Sequence, residues 1–264
     1  MPYPIAPAHW DSRFLGFPIG NIELPGDYSE EELETTLRVA HPKFRLLFVS
    51  VPGEGPPSLS LLGSPCPCYA RKLFLKKDVP KNIDLFDTHI RAYTSTFCSS
   101  ALERLAVQSG TMTQFRLDPE LAPHFEQLFI AWINIAVTQE LADSIWTWYE
   151  NGNHLGLVTT RCAKHVNPQT GQTEKEGRIG MLSVDAAHRR RGIGTHLAKA
   201  CDFWCSSLGI PVSALATQRD NKPVIEMSEK LGFRKDRETS VYHYWAPEWI
   251  YDVRRGWASN AQVQ

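Results

Sequence analysis

The sequence has almost no surplus charge of either sign: 28 lysines and arginines stand against 29 aspartates and glutamates, for a formal net charge of −1. A dedicated nucleic-acid binder carries a clear basic excess, so nucleic acid is not expected as a partner, although a local basic site is not excluded. Long hydrophobic runs are missing as well. The longest uncharged stretch, Gly55 to Ala70, holds four prolines and is shorter than the ~20 apolar residues a membrane-spanning helix needs. The first ten residues carry three prolines and no apolar run, unlike a secretory signal. These absences give the expectation of a cytoplasmic protein with no membrane partner. The six cysteines lack the second Cys or His pair that a metal site would need near Cys66 and Cys68 or near Cys201 and Cys205. They are therefore expected as free, buried thiols, with no metal.

What is present is enough apolar material for a core. Hydrophobic residues make up 42% of the 264 and aromatic residues 11%, and the length suits two small domains or one large one. The first hundred residues read as a small α/β unit. Trp10–Leu24 reads as loop and strand. Ser29, followed by Glu32, opens a capping-box helix to Val39. Phe44–Val51 is an apolar strand, Pro52–Pro67 an exposed loop, Tyr69–Leu75 a strand, and Ser99–Gln108 a helix stopped by Gly110. Domain limits are expected at 1–110 and 111–246, with a tail, 247–264, in which Trp249, Ile250 and Trp257 are expected to dock on the body or a second subunit.

The second half is more regular. Apolar residues at 125, 128, 129, 132, 133, 136 and 137 give Pro119–Leu141 one apolar helical face. Ile145–Tyr149 and Leu155–Cys162 read as strands joined across Asn151-Gly152-Asn153. A polar loop, Cys162–Glu176, leads to strand Arg178–Val184. Then come helix Gly192–Leu208, strand Val212–Thr217, helix Lys222–Leu231 and strand Ser240–Trp245. Trp146, Trp148 and Tyr149 are expected to pack a sheet, and Cys201, Trp204, Cys205 and Leu208 to form the core-facing side of one helix.

The chemistry is concentrated in Val184-Asp-Ala-Ala-His-Arg189-Arg-Arg-Gly192-Ile-Gly194, where a strand gives way to a basic turn and then a helix. Free N–H groups at a helix N-terminus, glycines that admit close approach, and fixed guanidinium charge together make a pyrophosphate cradle. A dinucleotide fingerprint fails for want of a third glycine, and a Walker loop for want of Gly-Lys-Ser/Thr. Arg189-x-x-Gly192-x-Gly194 after a strand resembles the acetyl-CoA signature of the GNAT superfamily of acyltransferases. The order of elements over 112–245 fits that family, as do Asn221 and Gly232-Phe233. Trp10-Asp-Ser12-Arg-Phe14-Leu-Gly16-Phe17 resembles the N-terminal motif of the acetyltransferases that act on nucleotide-linked 4-amino-deoxysugars, such as TDP-fucosamine.

The resemblance implies an α/β (α+β) GNAT fold: a mixed, mostly antiparallel central sheet flanked by helices, preceded by a smaller N-terminal α/β domain that contributes to the acceptor site. It implies acetyl-CoA as co-substrate, held by Leu182, Ser183, Val184, Arg189, Arg190, Arg191, Gly192, Ile193, Gly194, Thr195 and Asn221. A strand amide near Ser183 or Val184 would polarise the thioester. The acceptor would be a small-molecule amine, in the first reading that of a nucleotide sugar, attacking directly, with Phe115, Arg116 and Thr217 on the acceptor side and a homodimer possible. Phe115 reads equally as core and Arg116 as a surface residue. Alternative acceptors are a protein lysine, a protein N-terminus or a polyamine; a CoA-binding module with little activity is the other alternative. Relatives place a tyrosine acid seven residues after the asparagine, where this chain has Ser228. A water on Ser228, or Tyr242 or Tyr244, would then deliver the proton. Glu140, Asp143, His154 and His243 qualify as bases by residue type alone.

Overall fold

The computed structural model describes residues 3–81, 83, 87–138, 140–166 and 171–246; the tail 247–264 lies outside them. The chain divides into two compact units.

Of the described residues, the first unit takes those up to Val51, then Pro56–Cys68 and 242–246. It contains β1 (Ile5–Pro7), α1 (His9–Leu15), β2 (Ile19–Glu23), α2 (Glu30–Ala40), β3 (Leu46–Pro52), β4 (Ser58–Leu61) and the start of β5 (Ser64–Asp78). Ser29 caps α2 as its sequence dictates, its Oγ accepting the Glu32 N–H at 3.4 Å. α2 buries Leu33, Leu37 and Ala40 against Ile22, Leu47 and Val49 of the parallel pair β2–β3. Trp10 lies on a helix rather than in a loop. Likewise Pro52–Pro67 is not all loop, because β4 and β5 form a hairpin turned at Leu62 (φ 51°) and Gly63 (φ 77°). The prolines hid it. In β5 the Cys68 N–H donates to Pro57 O, and alternation then puts the nitrogens of Pro65 and Pro67 on the side away from β4, where no donor is needed.

The second unit takes Pro52–Gly55 and Tyr69–Val241. Its elements after β5 are β6 (Ile90–Ala92), α3 (Ser100–Ser109), α4 (Gln114–Leu117), α5 (Phe125–Val137), β7 (Ser144–Glu150), β8 (Asn153–Val166), β9 (Thr173–Val184), α6 (Ile193–Ser207), β10 (Val212–Gln218), α7 (Lys222–Lys230) and β11 (Arg234–Trp245), whose last residues pass into the first unit. The strand order is β11-β5-β10-β9-β8-β7-β6. β5–β10, β9–β8, β8–β7 and β7–β6 are antiparallel, and β9–β10 is parallel. Period-2 alternation loads both faces. Leu157 faces Leu102, Leu105 and Ala106 of α3 and Ile133 of α5, while Val158 faces Leu197 and Cys201 of α6. The result is a sheet between two helical layers.

The division at 110 expected from sequence is not where the units part: the stretch 69–110 belongs with the second unit, since α3 packs on α5 there. Cys162–Glu176 is not a loop throughout. β8 and β9 pair from Cys162↔Gly177 out to Val166↔Thr173; Glu176 and Gly177 are buried at its inner end, but Thr173, Glu174 and Lys175 are exposed and polar, so no apolar alternation marks the strand. Leu208, expected in the core, is 54% exposed, whereas Cys201 and Cys205 are fully buried. Gly110 does not end α3 by adopting a left-handed conformation, its φ being −93°. A Cβ there would sit 2.2 Å from Cζ of Phe129. Gly110→Ala should therefore destabilise the protein by about 1–3 kcal/mol through overpacking, read as a lower urea midpoint.

Among the described residues no helix is long and apolar enough to cross a membrane.

Candidate functional site

The site starts from a gap in the sheet. β9 and β10 pair only from Glu176↔Val212 to Ile179↔Leu215. Beyond that point β9 stays with β8 as far as Val184, and β10 stays with β5 as far as Gln218, so the two strands diverge. A bulge begins the divergence: Thr160 pairs with Ile179 and Val158 with Leu182, leaving Gly180 and Met181 opposite Thr159 alone. The Met181 N–H donates to Thr159 Oγ1 at 2.8 Å, and a Cβ on residue 180 would lie 2.8 Å from that oxygen, so glycine is required.

Past the bulge, orientation follows from register. Ser183 pairs with Leu157, and the Asp185 N–H donates to Leu155 O at 2.8 Å, so odd-numbered amides point to β8. The amides of Leu182 and Val184 point into the gap. Of the two strand amides considered from sequence, the register therefore turns Val184, not Ser183, towards the gap. The Val184 carbonyl is engaged by Arg189 Nε at 3.2 Å, which leaves the strand's free N–H groups to dominate there.

The turn that follows is built by Asp185, whose carboxylate accepts the Ala187 N–H at 3.0 Å and contacts His188 Nδ1 at 3.0 Å; the His188 bond holds that carboxyl below its usual range. Arg190 has φ 64° and Gly192 φ 82°. A positive φ at a non-glycine residue is strained and clusters at functional sites. It turns successive amides to one side, as in an anion-binding nest. None of the amides from Arg189 to Thr195 has a protein acceptor among the described residues, the next bond being His196 N–H to Gly192 O at 3.1 Å. Arg189 to Gly192 are exposed, Gly194 and Thr195 half-exposed, and Ile193 buries its side chain in the core under α6. Gly194 faces Met227 of α7, whose Sδ would be 3.2 Å from an added Cβ.

Asn221 opens α7, its Nδ2 donating to Thr217 Oγ1 at 3.1 Å, so two expected site residues meet at the end of β10. Phe115 packs edge-on to Trp132 with ring centroids 5.3 Å apart, and the Arg116 guanidinium lies 5.8 Å from the Phe125 ring.

The three expected proton donors are all buried. Ser228 has no exposure, shares its α7 face with core-packing Val224 and Leu231, and its Oγ has no partner. It is a buried orphan hydroxyl, and Ser228→Ala should stabilise the protein by about 1 kcal/mol, measurable by urea denaturation. Tyr242 and Tyr244 lie in the first unit's core. The Tyr242 hydroxyl donates to Pro56 O at 2.7 Å, and the Tyr244 hydroxyl lies 3.1 Å from His41 Nδ1. Among the base candidates, His243 packs on Phe48, and Asp143 accepts the Cys162 N–H at 2.7 Å. His154 sits against Tyr93 and Tyr149, its pKa lowered by burial and then by Arg91; Glu140 is simply exposed. Sequence reasoning missed Thr159 and the bulge, which the glycine inside strand Arg178–Val184 signals. It also missed Glu150, which binds Arg191.

Residues 107–233 match the model of the Acetyltransferase (GNAT) family. The fold is a GNAT fold. The matched family is one of acetyl-transferring enzymes, and the gap between β9 and β10 and the turn before α6 lie within the matched segment. Over 69 residues the chain is 36% identical to N-alpha-acetyltransferase 30 of Xenopus laevis, covering 26% of this chain and 25% of that protein. It thus spans about a quarter of the length of that curated relative. Among solved structures, the tandem GNAT protein from the clavulanic acid biosynthesis pathway superposes with a TM-score of 0.52 at 15% identity, covering 88% of this chain and 76% of that one. A functionally unknown conserved protein from Staphylococcus epidermidis gives 0.50 at 8% identity, covering 86% and 84%. These two likenesses concern the fold.

Proposed function

We propose that this GNAT-fold protein transfers acetyl from acetyl-CoA to the amino group of a nucleotide-linked amino-deoxysugar. The observation that carries the transfer is the run of unpartnered amides from Arg189 to Thr195 beside a gap into which Leu182 and Val184 direct theirs. Acetyl-CoA supplies the thioester whose C–S bond breaks as the amine's C–N bond forms. The 189–195 amides, with the α6 N-terminus behind them, suit its diphosphate. Leu182 and Val184 offer donors to the pantetheine arm and to the oxygen that gains charge during attack. With Ser228, Tyr242 and Tyr244 buried, the chain's contribution is placement and polarisation, and the departing sulfur takes its proton from water.

The sugar reading rests on the Trp10–Phe17 resemblance. In the first unit Trp10 and Phe14 stack with centroids 5.3 Å apart, and Arg45 lies 5.9 Å from the Phe17 ring and 5.7 Å from the Trp245 ring, an aromatic and cationic surface suited to a base and a phosphate. A second reading, a peptide N-terminus as acceptor, is favoured by the 36% identity over 69 residues to N-alpha-acetyltransferase 30. Incubating the protein with acetyl-CoA and a panel of amines, while following free thiol, separates them. Release with a TDP-4-amino-sugar and not with peptides supports the first reading, the reverse supports the second, and no release with any amine defeats both.

A further inference from the structure

Among the described residues, Arg191 is the one arginine of the signature turn whose guanidinium is held by a carboxylate. Its Nη2 lies 2.9 and 2.8 Å from the two oxygens of Glu150, at the end of β7. Glu150 is itself fixed. Its Oε2 accepts the Trp148 indole N–H at 3.0 Å, and the buried Trp148 ring stacks on His89 at 4.7 Å and 7°. His89 Nδ1 is 2.9 Å from Asp87, whose other oxygen lies 3.4 Å from His196 Nδ1 in the first turn of α6. Strand edge, turn and helix start are thus joined through side chains. The bonds from Trp148 and Arg191 hold the Glu150 carboxyl below its usual range, so it is an anion at neutral pH.

An anion clamped to a turn that offers its amides to another anion is at odds with tight binding. We propose that Glu150 is a positioning residue that competes with the cofactor's phosphates for Arg191 and thereby sets cofactor affinity low. This inference rests on the turn being the cofactor's diphosphate site. A carboxylate and a phosphate oxygen both match the guanidinium fork, so the arginine can serve either. While Glu150 holds it, the turn keeps its amides and loses one of its nearby charges. When phosphate takes the guanidinium, the carboxylate retains the Trp148 bond and stays ordered, which makes exchange reversible and product CoA easy to release.

Isothermal calorimetry of CoA binding tests this with the wild-type protein, Glu150→Gln and Glu150→Asp. Gln keeps the shape and an acceptor for Trp148 but frees Arg191, so CoA should bind about threefold to fivefold tighter, the scale of one exposed ion pair. The Kd should also rise more steeply with added salt than in wild type. Glu150→Asp keeps the charge and should stay near wild type. Pantetheine, which has no phosphate, is the control and should bind wild type and Glu150→Gln alike. Equal or weaker CoA binding by Glu150→Gln overturns the inference, as does an equal change with pantetheine. No CoA binding by wild type instead overturns the reading of the turn itself.

Discussion

Gly192→Val should weaken acetyl-CoA binding about a hundredfold and cost stability besides. Gly192 has φ 82° directly before α6, and no neighbour would clash with a Cβ there, the nearest atom being His196 Cδ2 at 3.8 Å. The penalty is conformational. A left-handed backbone costs an L-residue about 1–2 kcal/mol, more when β-branched, so the variant relieves strain by rotating the peptide units around residue 192. Rotation takes an amide away from the anion, and a charge-assisted hydrogen bond contributes about 1.5–3 kcal/mol, while a hundredfold is about 2.8 kcal/mol. Calorimetry with CoA and a urea curve on the same sample measure both parts. Gly192→Ala should fall between, because alanine tolerates the conformation better than valine.

Breaking the Lys77–Asp202 pair should give the largest loss of stability. Lys77 Nζ is 2.5 Å from Asp202 Oδ2 and 3.2 Å from Leu231 O, and it lies 4.7 Å from the Phe233 ring, so one cation joins β5, α6 and the end of α7. The side chains retain 7% and 4% exposure. Burial raises the Asp202 carboxyl above its usual range, and Lys77 opposes that. Lys77→Met leaves the carboxylate desolvated without its cation, at a cost of about 3–5 kcal/mol, whereas Lys77→Met with Asp202→Leu should recover most of it. The sign with pH follows. A carboxyl whose folded pKa exceeds its unfolded value binds protons more tightly when folded, so its contribution is present at low pH and lost as pH rises through the folded value. Lys77→Met raises that value further. Its stability deficit should therefore widen from about pH 4 towards neutrality, read as urea midpoints across that range.

Legibility followed the kind of physics involved. α2, α5 and α6 were readable because each buries one face, and Ser29 and Ser99 announce their helices by side-chain caps. The turn at 189–195 was readable because glycines and arginines bunch there. The β4–β5 hairpin was not, since Pro65 and Pro67 usually argue against a strand and only the register shows their nitrogens to face away. The outer ribbon of β8 and β9 was not, because its exposed residues Thr173 to Lys175 are polar and carry no apolar alternation. Within the site, orientation was the hidden quantity. Whether Ser183 or Val184 turns its amide to the gap depends on a one-residue bulge at Gly180–Met181, and Ser228 matched a family position by spacing while its side chain faces the core. Glu150 and Arg191 lie far apart in sequence, and no local pattern couples them.

The claim beneath all of this is that a particular set of backbone amides receives the cofactor. A titration of the ¹⁵N-labelled protein with CoA, followed by ¹H–¹⁵N correlation spectra, observes those amides one by one. The largest downfield shifts are predicted at Arg190 to Thr195, with Leu182 and Val184 following and Ser183 changing little. Saturation with these amides unmoved, and the shifts gathered instead around the separate cleft of about 390 Å³ lined by Tyr93, Thr138 and Asp143, would contradict the account.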